Sequence, residues 1–269
     1  MWTRAELKEK GKMAFKRNYW KTVLISFIMA LLVGGAGGAG GGYGSRNEVR
    51  TVVDVDGTGA DVPDDVDTRL DGIEDDGFFV DGMSKGQMVL FIAVIAVIVL
   101  IFVAIVLAIV IAVEALLINP IEVGMRRFFY LNLNSKAEAK EIAYAFDSNY
   151  KNIAKTMFFR DLSIVLWSLL LIIPGIVKAY EYRMVMYLLA ENPDLSKDEA
   201  LAISRQMMDG QKWKAFVLDL SFIGWRLLSV ITLGILNIFY VSPYKNMTDA
   251  ALYEALKNNG AAAYIPQEE

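Results

Sequence analysis

The stretch MVLFIAVIAVIVLIFVAIVLAIVIAV, Met88–Val113, decides the class of this chain: 26 residues without a single charge. A helix needs about 20 apolar residues to cross the hydrocarbon core of a bilayer, so this run crosses with length to spare. The rest of the sequence agrees. The chain of 269 residues is 55% hydrophobic with a mean hydropathy of +0.38. A soluble chain this long carries more charge and less uninterrupted apolar sequence.

Further apolar blocks occupy Thr22–Val33 before the run and Met157–Ile173, Ile176–Ala190 and Ala215–Val241 after it. Together they predict an all-α polytopic membrane bundle of about six transmembrane helices in hairpins, with amphipathic helices on the cytoplasmic side. Residues 1–44 read as a basic amphipathic helix and a first membrane helix with a Gly-rich end. Residues 86–134 hold the long second helix and a connector, 135–195 and 196–258 two further units, and 259–269 a loose tail. Pro174-Gly175 breaks one apolar block into a hairpin, and Gly234 is the expected turn in the last block. The alternative there is one long tilted helix over Ala215–Val241.

Two absences restrict the chemistry. With no cysteine and no histidine, disulfides, thiolate nucleophiles, Cys or His metal sites and Ser-His-Asp catalysis are all excluded. No cofactor is expected, and the prior for an enzyme falls. The basic start, Arg4 to Lys21, followed by Thr22–Val33 and small residues, also resembles a secretory signal. A retained helix is the preferred reading, because its leader recurs later in the chain.

Residues 45–85 are a different material, with twelve acidic and four basic residues. They account for the whole net charge of −4, since the remaining residues carry a positive excess. Such a segment buries too little apolar surface to order itself and reads as a flexible loop. Asp54, Asp56 and Gly57 do not meet the spacing of a calcium loop. Gly34–Gly44 lacks the ending of a phosphate loop.

The sequence also repeats itself. Thr3-Arg4-Ala5-Glu6 and Ser196-Lys197-Asp198-Glu199 both read as capping boxes, and fourteen residues after each Glu stand Trp20-Lys21 and Trp213-Lys214. Ser135-Lys136-Ala137-Glu138 reads as a third box, opening a polar helix that leads to Lys155. Asp161-Leu162-Ser163 and Trp167 recur 58 residues on as Asp219-Leu220-Ser221 and Trp225. Trp20, Lys21, Lys155, Trp213 and Lys214 are therefore the expected interface anchors, indole at headgroup depth and Lys snorkelling to water. The segments joining the spans on that side carry 19 Lys and Arg. The positive-inside rule then puts both termini in the cytoplasm of a multi-pass cell-membrane protein and the acidic loop outside. The expected partners are the bilayer and, under the basic helices at residues 3–20 and 196–213, anionic headgroups of the inner leaflet. Nothing points to nucleic acid. The Met247–Lys257 segment reads as one more amphipathic helix.

Asn18-Tyr19-Trp20-Lys21, Pro174-Gly175-Ile176-Val177-Lys178-Ala179-Tyr180, the turn from Glu191 to Ser196, Met207 to Trp213, Leu218 to Trp225 and Leu233 to Tyr244 resemble a bacterial membrane family. It is the one catalogued as domain of unknown function 975. The resemblance covers the chain apart from the Gly-rich stretch and acidic loop. It implies a multipass membrane protein without an assigned activity, so it supplies no catalytic residues. A more distant resemblance is to membrane domains preceding some glycerophosphodiester phosphodiesterases, whose catalytic part is absent.

Charges inside membrane helices face a cavity or one another. Lys178 and Glu181, three apart, can pair, and Arg183 follows on the same segment. Asp161 and Asp219 sit about 8–9 Å below their Lys anchors. As a two-fold-related carboxylate pair they would bind a cation or proton. The plainer reading ties each to Arg160, Arg226 or Arg183. Two functions follow: a non-enzymatic scaffold or regulatory module, or a transporter or channel along Asp161, Asp219, Lys178, Glu181 and Arg183.

Overall fold

The computed structural model describes residues 2–37 and 84–259, which are helical with no strand among them. The Gly-rich end past residue 37, the acidic loop up to 83 and the tail from 260 lie outside the described residues. In chain order the α-helices are α1 (Arg4–Arg17), α2 (Tyr19–Gly37), α3 (Lys85–Val113), α4 (Asn119–Leu131), α5 (Tyr144–Asp147), α6 (Tyr150–Leu170), α7 (Ile172–Glu181), α8 (Val185–Glu191), α9 (Lys197–Met207), α10 (Lys212–Leu220), α11 (Ile223–Ile231) and α12 (Ser242–Asn258). Glu114–Ile118 and Asn237–Val241 are π-helical, and Ala139–Ala143 is a 3-10 turn.

The chain divides into two units, Gly41–Ile109 and the remainder. The first holds most of α3, a helix with no buried residue. A capping box absent from the sequence reading opens it: Ser84 N–H donates to Gln87 Oε1 (2.9 Å), and Gln87 N–H to Ser84 Oγ (3.4 Å). The continuous helix Lys85–Leu131 has the length and apolar composition to cross a membrane, and Tyr19–Leu32 is a shorter apolar helix.

The second unit is organised around α12. Tyr244, Met247, Ala250, Ala251, Leu252 and Tyr253 on it are buried. The tail helix, expected as amphipathic, is thus a core helix, because α1, α2 and α4 pack on it. α1 lies along α12 so closely that a Cβ at Gly11 would stand 2.9 Å from the Thr248 backbone nitrogen. Lys10 and Glu254 form an ion pair across the same contact. The buried stripes of α1 (Leu7, Gly11, Ala14, Phe15) and α9 (Ala200, Ile203, Ser204, Met207) therefore meet protein. α2 turns Thr22 and Ser26 inward, where Asn132 and Asn246 donate to their hydroxyls at 3.3 and 3.2 Å. Small polar side chains of this kind let helices approach closely.

The hydropathy blocks are not six bilayer-length helices among the described residues. Ile176–Ala190 is cut at Tyr182–Met184, and its second half, α8, is buried against α4. Apolar sequence alone does not distinguish a lipid-facing helix from a core helix. α7 has 10 residues and α11 nine; at 1.5 Å per residue each is about 15 Å long, half a hydrocarbon core. α6 and α7 pack as a hairpin that reverses at Leu171, held extended (φ −155°, ψ 138°). Pro174-Gly175 is not the break. Both lie in the first turns of α7, where proline needs no intrahelical donor. Gly175 is required for packing, since a Cβ there would stand 2.6 Å from Ser168 Cα. The last block does turn near Gly234. Leu233 (φ 51°) and Gly234 (φ 83°) are both left-handed, and α11 then packs on Asn237–Val241.

The Thr3 and Ser196 capping boxes are formed. The Ser135 box is not. Asn132 accepts from Ala137 N–H (3.3 Å) and from Asn18 (2.8 Å), which holds this segment out of a helix. Ser135 bonds Leu131 O instead, Glu138 pairs with Lys140, and Asn149 caps α6.

A different repeat does exist. Each π-helical turn leads into a proline near a helix start, Pro120 in α4 and Pro243 in α12. Proline has no N–H for the carbonyl four residues back. At Leu116 the Tyr150 hydroxyl donates to that carbonyl (2.6 Å), and at Phe239 the Tyr19 hydroxyl does so (3.2 Å). Tyr19 and Tyr150 are the first residues of α2 and α6.

Candidate functional site

The helix ends around the two reversals carry exposed apolar side chains. Leu169, Ile172 and Ile173 by the first, and Ile231 and Leu233 by the second, are each at least 76% exposed. The charged candidates stand further from the reversals, Asp161 on α6, Lys178 and Glu181 on α7, and Asp219 on α10.

Asp219, at the end of α10, is the centre of a shared network. Arg183, just past α7, grips it with two nitrogens at 2.9 and 3.1 Å. The Tyr180 hydroxyl donates to it at 2.8 Å, and Lys245 of α12 lies at 2.9 Å. Asp249, one turn further along α12, takes Arg183 at 2.7 Å and Lys245 at 2.5 and 2.6 Å. Two carboxylates thus face two cations, and the charges balance where water is scarce. Asp161 is held apart from this, bonded by Arg160 at 2.5 and 2.8 Å and by Asn119 at 2.7 Å. No bond and no shared partner joins the two aspartates among the described residues, so they are not a carboxylate pair. Arg160 and Arg183 are the partners that the plainer sequence reading named; Arg226 is exposed. Among the described residues no group of acidic side chains fits a metal.

Glu181 forms the second cluster. Its buried carboxylate meets Lys178 at 3.0 Å, Arg205 at 2.5 Å and Lys212 at 3.4 Å. Lys178 also stacks over the rings of Trp167 (5.6 Å) and Tyr182 (5.4 Å). Beside these residues opens a cleft of about 450 Å³ that Asp209 and Gln206 help to line.

The expected anchors lie on α2, α6 and α10. Trp20 is 73% and Trp213 72% exposed, each in the first turn of its helix. Lys21 and Lys155 are exposed and Lys214 half-buried. At the buried edge of the unit, burial and then Arg4 hold the Lys8 ammonium below its usual range; it donates to Ser221 O at 3.3 Å and lies 4.6 Å from the Phe222 ring centre.

Sequence reasoning missed Lys245, Asp249, Arg205, Lys212 and Asn119. The i,i+4 spacing of Lys245 and Asp249 was a readable sign of a pair. Arg205 and Lys212 reach Glu181 from α9 and α10, and no spacing announces that. No curated protein and no solved structure matches the chain. A family model does, over the part that holds both networks and both reversals, though not over Asn18–Lys21 as the wider resemblance implied. Residues 128–260 match the model of a family described as Protein of unknown function (DUF975).

Proposed function

We propose that this chain is a non-enzymatic membrane module that scaffolds or regulates partners in the cell membrane. α2 and α3 each cross the bilayer, and the two hairpin ends enter from the cytoplasmic side, to about half its depth. Both chain ends then lie in the cytoplasm, with residues 45–83 outside. The observation that carries this reading is the division within the second unit, exposed apolar hairpin ends above a base of buried, ion-paired charges. A transport path through Asp161 and Asp219 would need them to share a cavity. Their separate ion pairs speak for a structural role.

Because the chain has no cysteine, single cysteines report topology without background. Cysteine at Lys12 stays unlabelled by an impermeant maleimide in intact cells and labels after permeabilisation, while cysteine at Asp65 labels at once. The reverse pattern, or release of the chain by alkaline carbonate, refutes the module as drawn. For the path, solute uptake by vesicles holding D161N/D219N is compared with wild type. Selective loss of uptake with unchanged stability would revive the transporter.

A further inference from the structure

The cations around Glu181 exceed what that carboxylate can use. Lys178, Arg205 and Lys212 offer about eleven N–H donors between them, whereas one carboxylate accepts roughly four hydrogen bonds. Counting Asp209, the cleft carries three positive and two negative side chains. Glu181 is itself buried (5% exposed), so it gathers the cations while leaving their remaining donors to the cleft. This differs from the Asp219 network, where carboxylates and cations are equal in number.

Position gives the second argument. On α7, Ile172, Ile173, Ile176 and Val177 are exposed and apolar, and Lys178 follows at once. On α10, which packs on α7, Lys212 is followed by the exposed Trp213, its ring stacked on Phe216 at 5.3 Å. Two neighbouring helices thus change from charged to apolar beside the same cleft. That is headgroup depth if the hairpin ends are in the bilayer, and Trp with Lys is the usual composition there. A guanidinium with two ammonium groups matches the oxygens of a phosphate.

We infer that the cleft between α7, α9 and α10 binds a phosphate-bearing anion through Lys178, Arg205 and Lys212. A phospholipid headgroup and free phosphate present the same oxygens, and the position favours the lipid. This rests on the membrane reading above.

The test titrates the full-length protein in neutral detergent, by calorimetry, with dioctanoyl phosphatidylglycerol, dioctanoyl phosphatidylcholine and inorganic phosphate. The anionic lipid binds saturably and the zwitterionic one does not. R205Q/K212Q weakens binding by about tenfold or more, and R205K/K212R, which keeps the charge, stays within about threefold. Should the double Gln variant lose helicity, Lys178→Gln replaces it and loses about threefold or more. Saturable binding of inorganic phosphate, abolished by the same substitutions, assigns the site to the free anion. Lipid binding without phosphate binding assigns it to the headgroup. Absence of saturable binding by either, equal binding of the two lipids, or an unchanged affinity in a folded neutralised variant overturns the proposal. Carbonate release of wild type would instead strike the membrane reading and leave this result standing.

Discussion

Asp-Leu-Ser occurs at 161–163 and again at 219–221, each six residues before a tryptophan, yet the fold treats the two copies differently. Asp219 meets Tyr180 of α7, Arg183 of the following turn and Lys245 of α12, and the last two also hold Asp249. Asp161 is held by its neighbour Arg160 and by Asn119. The first hairpin continues through its Asp-Leu-Ser as one helix to Leu170, and the second breaks at Ser221–Phe222. A repeated local sequence therefore specifies where a carboxylate sits along a helix. Which partners it meets is set by the helices that pack there.

That difference has a size, and the largest effect belongs to Arg183. Its side chain is 15% exposed and serves both Asp219 and Asp249. Arg183→Met leaves two carboxylates with one lysine and is expected to cost about 3–5 kcal/mol, measured by thermal unfolding in detergent. D161N removes a carboxylate that is 30% exposed but leaves an acceptor for Arg160, for a smaller loss of about 1–2 kcal/mol. Equal losses would erase the distinction between the hairpins.

Two glycines, one in each hairpin, extend the contrast. Gly175→Ala drives a methyl into Ser168 of the facing helix, an overpacking cost of about 1–3 kcal/mol. At Gly234 the space is open but φ is 83°. Alanine there costs about 1–2 kcal/mol, and asparagine, which tolerates this region, costs less. If Asn and Ala at 234 proved equally damaging, conformation would not be what the second turn requires.

Next come the paired tyrosines. Y150F removes the 2.6 Å bond to Leu116 O and Y19F the 3.2 Å bond to Phe239 O. Losses of about 0.5–1.5 kcal/mol are expected, larger at Tyr150 in keeping with the shorter distance. The smallest effects concern the serines. S196A removes a formed cap at about 1 kcal/mol, whereas S135A stays within about 0.5 kcal/mol.

The same cap predicts a pH dependence. The Ser196 hydroxyl and backbone hold the Glu199 carboxyl below its ordinary value of 4.5. A carboxyl lower in the folded state stabilises above its unfolded value and loses that contribution as pH falls through the folded one. Melting curves from about pH 6 to about pH 3 should therefore show a smaller acid-side loss in S196A than in wild type.

Much of the helical architecture was legible. The run Met88–Val113, the caps at Thr3 and Ser196, and the turn at Gly234 follow from composition and local chemistry. Half of Ile176–Ala190 misled, because α8 is as apolar as a lipid-facing segment while its neighbours are protein. Ser135 misled because Asn132 claims the backbone that its box would have used. Of the charged site, Lys178–Glu181 and Arg183–Asp219 were readable as pairs. The excess of cations on Glu181 was not, since Arg205 and Lys212 arrive from separate helices.

The contact of α1 with α12 bears on biosynthesis. Lys10 and Glu254 are 244 positions apart, so α1 leaves the ribosome long before the helix that covers it exists. Until α12 emerges, Leu7, Ala14 and Phe15 have no lasting partner, and contacts of such separation form late. Stop codons placed before α12 should yield chains whose first helix is open to chaperones and proteases. Among the described helices, the one made last docks on the one made first.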